Sequence, residues 1–219
     1  MSKIAIFHTN SATPPVMKKL ATKLLPDVEV LHIIEDSMID DVMRHHGVTP
    51  AIAARIAGYI TIAQQAGCSH FMTACSSIGY AVEQCQFMTS MRLIRIDEAM
   101  IEKAIDLGQR IAVLATAETT LTPTLEFIER KAIDKHKRVS LSPLLMADAF
   151  QALLAGDDER HDQIVKIGLA QACKNNDVVV LAQASMARVL RGIEKPTVTV
   201  LTSPELSMRW LKQEIEEKR

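Results

Sequence analysis

Aromatic residues are scarce in this chain: one Trp, two Tyr and five Phe among 219 residues. A surface that holds single-stranded nucleic acid by stacking bases needs more of them. An excess of charge of one sign is missing too. Lys and Arg number 25 against 26 Asp and Glu, a net charge of −1, which leaves no basic footprint for a phosphate backbone. No nucleic-acid partner is expected. No apolar run approaches the ~18 residues of a membrane span, so no membrane partner is expected either. Only four apolar residues, Ile4 to Phe7, separate Lys3 from His8. That is too short for the core of a signal peptide and reads as a first buried strand. The four cysteines, Cys68, Cys75, Cys85 and Cys173, form no C-x-x-C pair and are expected as reduced thiols of a cytoplasmic protein. His45-His46 lacks an i, i+4 partner and carboxylates in ligand register, so no metal site is expected. A flavin carrier or nucleotide domain is disfavoured, because G-x-G-x-x-G, a Walker lysine loop and an aromatic pair are all missing.

What is present is an aliphatic globular composition, 48% hydrophobic and 23% charged. It suits helices packed on a buried parallel sheet, whose strands read as unbroken Val/Ile/Leu runs. The chain also matches itself. Lys3-Ile4-Ala5-Ile6-Phe7-His8-Thr9 aligns with Arg110-Ile111-Ala112-Val113-Leu114-Ala115-Thr116 at an offset of 107. Thr13-Pro14 recurs as Thr122-Pro123 at 109, and Met38-x-Asp40 as Met146-x-Asp148 at 108. Phe71 to Gly79 aligns with Val179 to Ala187, again at 108. Four matches near one offset of about half the chain predict two homologous halves. The expected division is residues 1–97 and 98–203, with a C-terminal helix over 204–219 packing on the first half.

Within each half, strands alternate with helices, which implies right-handed crossovers and a parallel sheet. The expected strands are Lys3–Phe7, Val28–Ile34, His70–Ala74 and Leu93–Ile96, then Arg110–Leu114, Val139–Leu141, Val178–Ala182 and Thr197–Leu201. Thr-Pro pairs are expected to open the first helix of each half, with Thr as N-cap and Pro at the first helical position. Helical stretches over Ile39–Arg44 and Ala147–Leu154 are expected to halt at Gly47 and Gly156. Longer helices follow over Pro50–Ala66 and Arg160–Lys174. The fold class is therefore α/β, two pseudo-symmetric doubly wound parallel-sheet halves with an active-site cleft between them.

Ligands in open parallel sheets bind beyond the carboxyl ends of the strands. That rule selects His8-Thr9-Asn10-Ser11, Glu35-Asp36-Ser37, Cys75-Ser76-Ser77, Thr116 through Thr120, and Gln183-Ala184-Ser185. Their hydroxyls and backbone N–H groups could hold a small carboxylate at helix N-termini. Cys75 follows a buried strand and opens a helix, a place that favours thiolate. A buried strand-end cysteine is the competing reading. Cys68, Cys85 and Cys173 read as structural, and Arg188 reads as one half of a surface ion pair.

Ala74-Cys75-Ser76-Ser77 resembles the Ala-Cys-Asn-Thr element of the aspartate/glutamate (Asp/Glu/hydantoin) racemase family, and the similarity covers essentially the whole chain. Ala115-Thr116-Ala117-Glu118-Thr119 resembles that family's carboxylate-holding loop, and Ile96-Asp97-Glu98-Ala99 its connection between halves, with Ala99 in place of the usual proline. The resemblance implies a homo-oligomeric, amino-acid-racemase-like isomerase of a small carboxylate, with no cofactor, no metal and no pyridoxal phosphate. Catalytic roles fall to Cys75, His8 and Gln183, and substrate contacts to Thr9, Asn10, Ser76, Ser77, Thr116, Thr119, Ala184 and Ser185. One position departs from the family: Gln183 stands where its racemases carry a second cysteine. A two-base racemase needs an acid on one face of the carbon and a base on the other, and an amide is neither. Three readings stay open: racemisation with Cys75 as one base and His8, whose unperturbed imidazole titrates near neutral pH, as the second; a one-sided decarboxylase or cis-trans isomerase with Cys75 as its single thiol; or a site that binds a carboxylate without turnover.

Overall fold

The computed structural model describes residues 2–191, 193–194 and 196–217. The contacts within the chain divide it into two units, residues 1–98 with 204–219 and residues 99–203. Unit 1 runs β1 (Ser2–His8), α1 (Pro14–Leu24), β2 (Val28–Ile34), α2 (Met38–Arg44), α3 (Pro50–Gln65), β3 (His70–Thr73), α4 (Gly79–Gln84) and β4 (Arg92–Arg95). Next come α5 (Glu98–Leu107) and unit 2: β5 (Arg110–Ala115), α6 (Glu118–Asp134), β6 (Ser140–Leu145), α7 (Ala147–Leu154), α8 (Asp158–Ala172), β7 (Val178–Leu181) and β8 (Thr199–Thr202). The chain closes with α9 (Ser203–Glu217). Lys218 and Arg219, the last two residues of the expected helix, lie outside the described residues.

Each unit holds a four-stranded parallel sheet, in the order β2-β1-β3-β4 and β6-β5-β7-β8. The two orders are the same when the strands are numbered within each unit, as a duplication requires. In unit 1 the period of two along β1 sorts its side chains to opposite faces. Ala5 and Phe7 join Met38, Val42, Ile52, Ile56, Ile60, Phe71 and Val82 on the side of α2, α3 and α4. Ile4 and Ile6 join Met17, Ala21 and Leu24 of α1 and Met208, Leu211 and Ile215 of α9. The C-terminal helix thus completes the core of the unit that begins the chain. In unit 2, Ala112 and Leu114 pack with Ala149, Val165, Leu169 and Val179. Ile111 and Val113, on the other face, are also buried.

Several boundaries differ from the sequence expectation for local reasons. β6 runs to Leu145 rather than ending at Leu141, despite Pro143. It is an edge strand, so the missing N–H of proline costs no ladder bond on its free side. Thr122-Pro123 does not open α6. The helix begins five residues earlier at Glu118, and Pro123 lies inside it. Helix α5 was not expected at all. Thr13 precedes Pro14 as expected, yet its hydroxyl makes no cap bond. Asn10 Oδ1 instead accepts from the N–H groups of Ala12 (2.9 Å) and Thr13 (3.1 Å). Thr49 does cap α3, accepting from Ile52 N–H. The left-handed residue that ends α2 is His46 at φ 53°, one before the expected Gly47, whereas Gly156 at φ 75° does end α7.

Candidate functional site

Parallel pairing places equivalent residues at the carboxyl ends of the central strands in both units. Phe7 lies opposite Thr73 across β1 and β3, and Ala74 N–H donates to the Phe7 carbonyl at 2.8 Å. Leu114 lies opposite Leu181 across β5 and β7, and Ala182 N–H donates to the Leu114 carbonyl at 2.9 Å. One residue further along, Cys75 and Gln183 are therefore equivalents, as are Thr9 and Thr116.

Cys75 has extended backbone, φ −139° and ψ 116°, and stands at the N-cap of a 3-10 turn, Ser76–Ile78. Its N–H donates to Thr73 Oγ1 at 3.3 Å. The residue is 9% exposed and joins the core on the α3 and α4 side, with Phe7 and Ile78. Ser76 and Ser77 are buried in the turn. The helix expected to open at Cys75 is this turn followed by the six-residue α4, so the contribution of a helix dipole is small. Cys85 stands at the C-cap of α4. Burial pushes the thiols of Cys68, Cys85 and Cys173 up, which suits their structural reading.

His8 ends β1 on the other face of the sheet. Its Nδ1 meets Thr13 Oγ1 at 2.8 Å and its Nε2 meets His32 Nδ1 at 3.0 Å, with the two rings stacked at 5.2 Å. Burial, then the neighbouring His32 and Lys18, lower His8 to about 4. Burial and Lys18 lower His32 as well. Both ring nitrogens of His8 are engaged inside unit 1, so it reaches a substrate only by giving up one of these bonds. Thr9 is buried beside it, and its Oγ1 has no hydrogen-bond partner among the described residues. Asn10 is half-buried, and its Oδ1 is spent on the turn into α1.

In unit 2 the Gln183 carboxamide is fixed. Its Oε1 accepts from Thr116 N–H at 2.5 Å and from Thr116 Oγ1 at 2.9 Å. A backbone N–H can only donate, so the oxygen must face Thr116 and Nε2 is the group left to donate elsewhere. Thr119 is half-buried in the first turn of α6, and Ala184 and Ser185 are half-buried at the start of the 3-10 helix Ala184–Leu190. Arg188 donates to Asp158 (2.8 Å) and Asp162 (2.7 Å), so it serves an ion pair as expected.

One charged cluster was missed from the sequence. Arg95 ends β4 opposite Thr73, is 1% exposed, and donates through Nε and Nη2 to Asp97, each at 2.8 Å. Glu83 pairs with Nη1 at 3.4 Å. Burial alone would lower Arg95, but Asp97 and Glu83 outweigh it and leave the guanidinium raised. Gly79, four residues past Cys75, makes room for it: a Cβ there would stand 2.5 Å from Arg95 Nε. The bidentate pair thus braces the turn that carries Cys75. An Arg-x-Asp pair at period two in an otherwise apolar segment, Arg95-Ile96-Asp97, was the available signal. His32 had none, because only the sheet order brings β2 beside β1. A groove of about 410 Å³ lined by Lys166, Leu169, Cys173, Lys174 and Ile193 lies where β7 and β8 begin, away from the strand ends, and takes no part in the site. Among the described residues no three metal-ligating side chains gather, and no helix is long and apolar enough to cross a membrane.

Comparison with known proteins agrees with this architecture. An Asp/Glu racemase assigned to Yersinia pestis as putative superimposes with a TM-score of 0.72 at 11% identity, over 98% of this chain and 99% of that one. A glutamate racemase from Bacillus anthracis gives 0.68 at 15% identity, over 99% and 82%. An allantoin racemase from Klebsiella pneumoniae gives 0.64 at 15% identity, over 100% and 89%. At such identities these likenesses speak for the fold alone. No curated protein matches the sequence. The family described as Asp/Glu/Hydantoin racemase matches residues 5–209. With a doubled four-strand parallel sheet and a family match over nearly its whole length, the chain belongs to the Asp/Glu/hydantoin racemase family of isomerases.

Proposed function

We propose that the protein is a cofactor-independent, amino-acid-racemase-like isomerase of a small carboxylate, with Cys75 as its single thiol acid/base or nucleophile. The observation that carries this reading is the placement of Cys75 just beyond β3, at the N-cap of a 3-10 turn, in a chain of this family. A thiolate there removes the proton α to a carboxylate and the thiol so formed returns it, or the thiolate adds covalently to the substrate. Gln183 replaces a second cysteine, and its Nε2 is the group that donates to developing negative charge. Thr9, Ser76 and Ser77 supply hydroxyl and N–H donors to the carboxylate, and Thr119, Ala184 and Ser185 complete the strand-end set. His8, tied to Thr13 and His32, acts in this reading as a positioning residue of the β1–α1 turn rather than as a second base.

A second reading is favoured by one observation, the fixed carboxamide of Gln183. With no second thiol, proton delivery from one face only suits a decarboxylase or a cis-trans isomerase of the same family.

The test begins without a substrate. Alkylation at each cysteine is followed against pH by mass spectrometry. Cys75 is expected to be alkylated much faster than Cys68, Cys85 and Cys173 at neutral pH. A Cys75 as inert as Cys85 would overturn the catalytic reading. Screening amino acids, substituted malonates and maleate in deuterated water then separates exchange on both faces from exchange on one.

A further inference from the structure

The two units use equivalent threonines differently. In unit 2, Thr116 N–H and Oγ1 converge on one oxygen, Oε1 of Gln183. Two donors aimed at a single sp² oxygen from a strand-end loop are what one oxygen of a carboxylate requires. In unit 1 the equivalent of Gln183 is Cys75, whose side chain carries no oxygen. There Thr9 Oγ1 is buried with no hydrogen-bond partner among the described residues. A buried hydroxyl left in that condition is unfavourable, and a ligand oxygen would relieve it.

We propose that Gln183 is an internal carboxylate mimic, its carboxamide oxygen keeping the Thr116 donors filled so that a ligand carboxylate is taken at Thr9 and refused at Thr116. The inference rests on the reading of the protein as one that handles a small carboxylate. It goes further by giving Gln183 a role in specificity: the residue that replaces a thiol also closes an oxygen position of unit 2. Loss of the carboxamide opens that position to a small carboxylate, and a glutamate closes it again by supplying an equivalent oxygen.

The full-length, 15N-labelled protein tests this by NMR, with sodium acetate as probe and sodium chloride at matched ionic strength as control. In the wild type, acetate is expected to shift the Thr9 amide and leave Thr116 unmoved. In Gln183→Ala, the Thr116 amide is expected to shift saturably, with affinity at that position at least about tenfold above wild type, equivalent to about 1.4 kcal/mol. Gln183→Glu is expected to restore the wild-type response. Gln183→Ser is a second variant, with too short a side chain to reach Thr116, should Gln183→Ala fold poorly. The proposal fails if acetate moves Thr116 equally in the wild type and both shortened variants, if neither shortened variant gains binding, or if Thr9 stays still in the wild type. None of these readouts needs turnover, so an inert Cys75 would sink the catalytic reading and leave this one standing.

Discussion

Lowering the pH from 7 to 4 should destabilise the protein through His8 in particular. In the unfolded chain His8 takes up a proton near 6.5, whereas in the folded protein burial, His32 and Lys18 hold it down to about 4. Between those values the unfolded state binds the extra proton, so stability falls as the pH falls. The contribution is intact above about pH 7, declines from about 6.5 and is spent near 4. Each tenfold change in proton affinity is worth about 1.4 kcal/mol, so the displacement amounts to about 3 kcal/mol. That is a large share of the 5–15 kcal/mol typical of a folded domain. The geometry explains the direction: protonating His8 puts a cation against His32 at 3.0 Å within a buried strand end. Urea unfolding at a series of pH values, in wild type and His8→Asn, isolates the effect, because the carboxylates titrate alike in both. The difference between the two stability curves should change by about 3 kcal/mol from pH 7 to 4, the wild type losing more. Parallel curves, or an NMR titration placing His8 near 6.5, would refute the reasoning.

Other changes follow from the same contacts. Cys75→Ser should cut any turnover by about 10²- to 10⁴-fold while leaving the urea midpoint near wild type; unchanged turnover would remove the thiol from the chemistry. Asp97→Ala strands the buried Arg95 guanidinium and should cost about 3–5 kcal/mol, read by chemical unfolding; a loss under 1 kcal/mol would mean that the pair is not holding the β4 end. Gly79→Ala should cost about 1–3 kcal/mol because its Cβ would meet Arg95 Nε, and should cost less when it is added to an Arg95→Met chain, where that clash is gone. Phe71→Ala should cost about 3–5 kcal/mol, since its ring is fully buried 5.8 Å from that of Phe7.

Much of the fold was legible because it is written in local terms. The buried strands are unbroken apolar runs, and the near-constant offset between the halves carried the topology of one unit to the other. Helix starts were less legible. Thr13 and Thr122 looked alike in sequence, but Thr13 Oγ1 turns to His8 while Pro123 is absorbed inside α6, because neighbours on the sheet decide where a helix begins. Helix α5 is carried by the apolar period of Met100, Ile101, Ala104 and Ile105, which follows directly on the polar Asp97-Glu98 junction.

The sequence by itself determined the α/β class, the duplication, the strand-end short list and the singular place of Cys75, since these depend on periodicity and order along the chain. Tertiary structure decided what each strand-end group is free to do. Sheet order set His32 against His8 and engaged both nitrogens of an imidazole that looked available as a base. It brought Thr116 to Gln183 across 67 positions and turned an amide that looked like a missing thiol into a satisfied acceptor. It also folded Arg95 back over Gly79 to brace the Cys75 turn. Hydrogen-bond capacity is a property of residue type, but whether that capacity is already spent depends on neighbours distant in sequence.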